Sequence, residues 1–246
     1  MPGLPLELAA LFPVVAAAFA VEAALGFGGT VITVAVGSLW LPIPAVLPVL
    51  VPLGTALSAV LVARNVAHVA WRPLALRVLP WVAAGVPVGL YALTRVDAGW
   101  LKRGFGVFVL GLALTELRRA HSGAAAPLGG PARATLLALG GVVHGAFSTG
   151  GPMLVYVLGR ELPDKARLRA SLSVLWLPLN AALLVTYATQ GRFTATTGVA
   201  SAALVPAWAI GLVAGEWAHR RVSRERFAFA VLVVLAAVGA IVAARG

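Results

Sequence analysis

Two ionisable side chains lie in apolar surroundings, each next to a glycine-rich stretch. Glu22 is the only ionisable residue between residues 8 and 62 and stands four residues before "GFGG", and His144 stands four residues before "STGG". An imidazole can bind an anion when protonated and release it when neutral, whereas a carboxyl group in a membrane is a candidate proton carrier. We expect His144 to pair with an anion and Glu22 to carry a coupling proton. A neutral Glu22 bonded to a backbone carbonyl and a satisfied, packed His144 remain alternatives.

The glycine stretches interrupt segments that are too long for one membrane crossing. As one helix, residues 4–40 would extend roughly 55 Å, against about 30 Å of hydrocarbon, so this segment must fold back or break, and "GFGG" makes that easy. "STGGP" interrupts residues 134–159 in the same way. A half-helix that begins after each break would direct free N–H groups to the membrane interior. Two such ends predict a midplane anion site, with substrate-binding candidates Gly26, Gly28, Gly29, Thr30, Ser148, Thr149, Gly150 and Gly151.

Other polar residues in the apolar segments admit two interpretations each. The hydroxyls at the breaks can bind substrate oxygens or satisfy local backbone groups. Asn65 and Asn180, which we place at the ends of equivalent spans, are candidates for polar lining, although a helix cap or helix–helix hydrogen bond is favoured. Glu216 is followed by His219 and Arg220 and is expected to form an interfacial ion pair.

The composition identifies the chain as an all-α polytopic membrane protein. Of its 246 residues, 61% are hydrophobic and 11% charged, whereas ordinary globular domains carry about 25% charged residues. The apolar runs predict about eight transmembrane segments, the first of each half being broken. These segments are residues 4–40, 45–63, 78–94, 104–117, 134–159, 171–187, 199–218 and 227–243.

The basic residues predict the orientation of the spans. If both broken segments return to their starting side, 14 of the 19 Lys and Arg residues fall on one side, in loops 64–77, 118–133, 160–170 and 219–226. The positive-inside rule makes that side cytoplasmic and places both termini outside. Because the basic clusters separate apolar spans, the net charge of +11 does not indicate nucleic-acid binding. Tryptophans near span ends predict an aromatic belt: Trp40, Trp71, Trp81, Trp100, Trp176, Trp208 and Trp217.

An internal repeat relates the two halves of the chain. "EAALGFGGT" (22–30) aligns with "HGAFSTGGP" (144–152) at an offset of 122 residues. "PWVAAGVPVG" (80–89) and "PAWAIGLVAG" (206–215) share Pro-x4-Gly-x3-Gly, a spacing typical of close helix packing. Four segments per half, the first returning to its starting side, predict two inverted repeats, residues 1–119 and 120–246, in one membrane domain. That architecture is common in secondary transporters.

At these residues the sequence resembles the sulfite exporter TauE/SafE family, also called the 4-toluene sulfonate uptake permease family. "GFGGTVITVAV" (26–36) and "STGGPMLVYVL" (148–158) occupy the places of the family's glycine-rich motifs, although Thr30 and Pro152 stand where a third glycine is common and Ser148 replaces a leading glycine. The resemblance covers residues 10–240. It implies transport, often outward, of sulfite, sulfoacetate or related sulfonates.

Enzymatic chemistry finds little support in the sequence. There is no cysteine, no Walker motif and no dinucleotide fingerprint, and His68, His121, His144 and His219 fall in different segments without metal-ligand spacing. We therefore expect no cofactor or metal, and a secondary transporter of small anions that works by alternating access in the inner (plasma) membrane. Coupling to H⁺ is a hypothesis, and a homo-oligomer is compatible with the sequence. A channel, a membrane-embedded enzyme and a non-transporting scaffold are the alternatives.

Overall fold

The computed structural model describes residues 4–119, 128–162, 164–221 and 224–245. These residues form ten α-helices and no strand, which confirms the all-α prediction. His121 and the predicted boundary between the halves lie at or in the segment that is not described. The helices are α1 (Leu4–Leu25), α2 (Gly29–Gly37), α3 (Ile43–Asn65), α4 (Trp71–Arg95, with a π-helical turn at Leu74–Val78), α5 (Ala98–Arg119), α6 (Gly130–Phe147), α7 (Gly151–Glu161), α8 (Lys165–Thr189), α9 (Ala195–Arg221) and α10 (Arg224–Arg245).

Helices long and apolar enough to cross a membrane confirm a polytopic membrane protein. Among the described residues these are α3 with the turn after it, α4, α8 and α9. In α3 and α8, 61% of the most apolar window is buried, against 33% in α4 and α9. The first two helices are therefore central, and the other two expose one face. The count of eight spans stays a prediction.

The predicted loop 160–170 is mostly helix, as is the predicted loop 64–77. The segment 160–170 contains only a short connection, because α7 continues to Glu161 and α8 begins at Lys165. The Asp164 side chain caps α8 by accepting a hydrogen bond from the Arg167 N–H at 2.7 Å. Arg169 therefore belongs to a helix and is buried, contrary to its assignment to a loop.

Both broken segments are hairpins. In the first, Gly29 lies against Glu22, and a Cβ placed on Gly37 would lie 3.3 Å from the Leu11 side chain, so α2 runs back along α1. In the second, α7 runs back along α6, and Arg133 near the start of α6 pairs with Glu161 at the end of α7 at 3.4 Å. Each segment thus breaks at the predicted glycines and returns.

Outside the hairpins, the helices pack in four main pairs, three of which have close contacts at glycines. Helix α4 packs against α6, α1 against α9, α3 against α8 and α5 against α10. A Cβ on Gly85 or Gly89 of α4 would overlap carbonyl oxygens of α6, and a Cβ on Gly211 or Gly215 of α9 would crowd carbonyl oxygens of α1. These contacts confirm that the Gly-x3-Gly pairs are packing positions.

Candidate functional site

At the first break, the carboxyl group of Glu22 caps the half-helix that follows. Gly26 and Gly28 have φ of +86° and +109°, which favour glycine. The chain then turns so that Glu22 accepts hydrogen bonds from the backbone N–H groups of Gly29 and Thr30. A side chain on Gly29 would overlap the Glu22 carboxyl oxygen. Two N–H groups that we expected to be free for an anion are therefore bonded to the chain's own carboxyl group.

The second break has a histidine in the corresponding place and no such carboxyl cap. Ser148 adopts φ +53° and donates its N–H to the His144 carbonyl at 2.6 Å, which closes α6. Gly150 precedes α7 and provides no side-chain cap. His144 is 1% exposed, and neither ring nitrogen has hydrogen-bond geometry with a described residue, although the Leu179 backbone lies near the ring. Buried polar groups are normally paired, so this imidazole has unused hydrogen-bonding capacity.

The two breaks meet, and Trp176 of α8 joins them. A Cβ on Gly151 would lie 3.2 Å from the Cβ of Phe27, so the breaks are in direct contact. The Trp176 indole N–H donates to the Gly26 carbonyl at 2.8 Å. The Trp176 ring stacks on His144, with centroids 5.7 Å apart and planes inclined by 13°. The Trp176 side chain thus contacts both the first break and the residue that precedes the second.

A small, partly open cleft lies where the breaks meet. Glu22 and residues of the first break line it together with His144 and residues of the second break. Helix α8 contributes further polar surface. The lining residues are Glu22, Phe27, Gly28, Thr30, His144, Ser148, Thr149, Gly151, Trp176 and Asn180.

Four of the predicted site residues do not line this cleft. Gly26, Gly29 and Gly150 shape the breaks beside it, through a positive φ, the contact with Glu22 and close packing on His144, respectively. Asn65 ends α3 and donates its side-chain N–H to the Leu61 carbonyl at 2.8 Å. Asn180 lies well inside α8 rather than at its end, so the assignment of Asn65 and Asn180 to equivalent positions is wrong.

Phe27 lines the cleft without being among the predicted site residues, and the predicted place of Trp176 in the aromatic belt is wrong. Trp176 is 6% exposed and lies at the cleft, not in a belt, whereas Trp40, Trp71, Trp81, Trp100 and Trp217 are exposed and Trp208 is partly buried. Two signals mark Trp176: it falls inside its predicted span, and it precedes Asn180 by four residues, which places both on one helix face.

The ion pair expected for Glu216 has a different partner. Glu216 pairs with Arg169 of α8 rather than with the neighbouring Arg220. His219 approaches the Ala24 carbonyl through Nδ1 at 2.7 Å, next to the first break. In the parts of the chain that the structure covers, no three His, Asp or Glu residues are grouped as a metal site would require.

Comparison with known proteins identifies transporters. The family model described as "Sulfite exporter TauE/SafE" matches residues 11–242. The "Probable inner membrane transporter protein TsaS" of Comamonas testosteroni is 27% identical over 176 residues, which are 71% of this chain and 73% of the relative. No solved structure matches. The family and this relative are transporters and not enzymes, in agreement with the prediction, and the relative is named for the inner membrane.

Proposed function

This chain belongs to the sulfite exporter TauE/SafE family, and we propose that it is a secondary transporter of sulfite, sulfonates or related small sulfur-containing anions. The observation that carries the proposal is the contact between the two breaks, which share one polar cleft. The relative in Comamonas is named as an inner membrane transporter. We assign this chain to the same membrane.

The second break offers the better place for the anion. Helix α7 begins there without a side-chain cap, so its positive end is available. Ser148 and Thr149 line the cleft beside it, and hydroxyl groups donate hydrogen bonds to oxoanions. His144 brings an unpartnered imidazole, which in its protonated form attracts an anion. At the first break, Glu22 already occupies the N–H groups of Gly29 and Thr30.

Glu22 lines the same cleft as His144, and we assign it the coupling proton. An ionised carboxyl group would repel an anion in the cleft, and a protonated one would not. Protonation of Glu22 would thus accompany binding of the anion. The direction that we propose is outward.

Alternating access would follow from two inverted repeats. Suppose that helices α1 to α5 correspond in order to helices α6 to α10. Exchanging the halves then converts the α1–α9 pair into the α6–α4 pair, and it leaves the α3–α8 and α5–α10 pairs unchanged. Among the described residues, those four pairs make the most extensive contacts between helices. This agreement supports a pseudo-two-fold relation between residues 1–119 and 120–246. Transport would then proceed by rocking of one packed unit against the other around the cleft.

Flux into proteoliposomes tests the proposal. Purified protein is reconstituted, and uptake of sulfite, sulfoacetate and sulfate is measured with and without a pH gradient. We expect flux of at least one sulfur anion, which His144→Ala abolishes and which His68→Ala, at an exposed histidine outside the cleft, leaves intact. Absence of flux for every anion under both conditions would refute the proposed function.

A further inference from the structure

Helix α8 carries a line of polar and aromatic side chains from the cleft toward its N-terminal end. Asn180, Trp176, Ser173 and Arg169 are separated by four, three and four residues, so they share one face of the helix. Asn180 and Trp176 line the cleft. Ser173 is fully buried, and Arg169 is 4% exposed. The line therefore runs through the protein interior from the cleft to the buried guanidinium group of Arg169.

Arg169 connects the first break with α9. A Cβ on Gly26 would lie 3.0 Å from the Arg169 Cα, so Arg169 packs directly on the break. Its guanidinium group forms an ion pair with Glu216 of α9, and its Nε has no hydrogen-bond partner among the described residues. Arg64 and Arg220 are near enough to repel its charge. The Glu216 side chain is 17% exposed, so the pair lies between the buried line and the exterior.

We propose that the Arg169–Glu216 ion pair is a gate between the cleft and the basic end of α9, and that a transported anion opens it by replacing Glu216 at Arg169. This inference rests on the proposed function. A guanidinium group binds carboxylates and sulfur or phosphorus oxoanions through the same planar arrangement of donors. Without an anion, release of Glu216 would leave a buried charge unpaired, which is strongly unfavourable. The pair therefore holds the path closed at rest.

The gate belongs to one end of the path only. Arg169 aligns with Leu47 at the offset of 122 residues between the breaks, and Glu216 aligns with Leu90 when 206–215 is placed on 80–89, so the other half has no matching ion pair. Leu47 is fully buried in the core. The asymmetry gives the two ends of the path different chemistry although their packing is related.

Cysteine labelling tests the gate, since the chain contains no cysteine. Ser173→Cys reports access to the path one helical turn inside Arg169. Ser171→Cys, also fully buried on α8 but outside this line, reports general loosening. Each is labelled with a membrane-impermeant maleimide in vesicles of both orientations, in bis-tris chloride buffer free of oxoanions, with and without methanesulfonate, which does not react with maleimides. Glu216→Gln removes the gate, and Glu161→Gln, which removes the Arg133–Glu161 pair, is the matched control.

With the gate intact, we expect slow labelling of Ser173→Cys that methanesulfonate accelerates. In Glu216→Gln, labelling should be at least about tenfold faster without the anion and only from the side of the α9 C-terminus; tenfold corresponds to ~1.4 kcal/mol. Ser171→Cys and the Glu161→Gln background should show no change. Equal labelling in Glu216→Gln and Glu161→Gln, no effect of methanesulfonate, or a parallel increase at Ser171→Cys would overturn the gate. Labelling of Ser173→Cys in the Glu216→Gln background requires no transported substrate. The gate can therefore be confirmed when no proteoliposome flux is seen, and it can be refuted when flux is seen.

Discussion

The contact between the two breaks can be tested by an engineered disulfide. A Cβ on Gly151 would lie 3.2 Å from the Phe27 Cβ, whereas the mean Cβ–Cβ distance in disulfides is about 3.8 Å. The breaks therefore need to separate by only about half an ångström. Gly151 does not have a positive φ, so it accepts a side chain, and Phe27→Cys removes the ring that would crowd it. We expect Phe27→Cys/Gly151→Cys to form the bond under mild oxidation.

The assay counts free thiols in the purified protein before and after oxidation, by mass shift with a polymer-linked maleimide. Because the natural chain has no cysteine, only the introduced thiols contribute. Phe27→Cys/Gly198→Cys is the matched control, since no atom lies within 4 Å of a Cβ placed on Gly198. Both thiols should persist in the control. Persistence of both thiols in the Gly151 variant, or equal loss in the two variants, would refute the reasoning.

Three further predictions concern packing, bonding and coupling. Trp176→Phe leaves a buried carbonyl without its donor and should lower thermal stability in detergent by about 1–3 kcal/mol, whereas Trp208→Phe, whose indole N–H has no partner among the described residues, should change it less; equal losses would contradict the bond. Gly89→Ala should separate α4 from α6 at a cost of about 1–3 kcal/mol, while Gly111→Ala, which has open space in α5, should stabilise by about 0.5–1 kcal/mol; thermal unfolding of both variants must show opposite signs. Glu22→Gln retains an oxygen that can cap α2 but cannot carry a proton, so sulfite flux should lose its response to a pH gradient, and an unchanged response would exclude the coupling role.

The sequence was sufficient to predict the breaks and the residues closest to them. Helix length against bilayer thickness required an interruption, and glycine showed where it falls, because the positive φ at Gly26 and Gly28 disfavours other residues. The repeat predicted that Glu22 and His144 are equivalent, and both line one cleft. It did not predict that Glu22 would bond the N–H groups of Gly29 and Thr30, because that depends on how tightly α2 folds back.

The residues whose positions could not be predicted depend on where each helix ends and on how it is rotated about its axis. Asn65 and Asn180 were placed at equivalent span ends, but α8 continues well beyond Asn180, which therefore faces the cleft. Basic residues mark span ends and so predict a loop at Arg169, yet the Asp164 cap starts α8 earlier and carries Arg169 into the interior. Residue type alone predicts that Trp176 belongs with the interfacial tryptophans. Its neighbours in space come from both halves, and the local pattern does not contain them.

The central claim, that both breaks contribute to one anion site, is tested most directly by equilibrium binding of sulfite to the purified protein, measured by calorimetry. Thr30→Ala alters the first break and Ser148→Ala the second, while Thr186→Ala removes an exposed hydroxyl bonded within α8. We predict one sulfite per chain, with affinity reduced at least about tenfold in each break variant, since a hydrogen bond to a charged group contributes about 1.5–3 kcal/mol. Thr186→Ala should bind as the natural chain does. Weakening by only one of the two break variants, or by neither, would contradict a shared site.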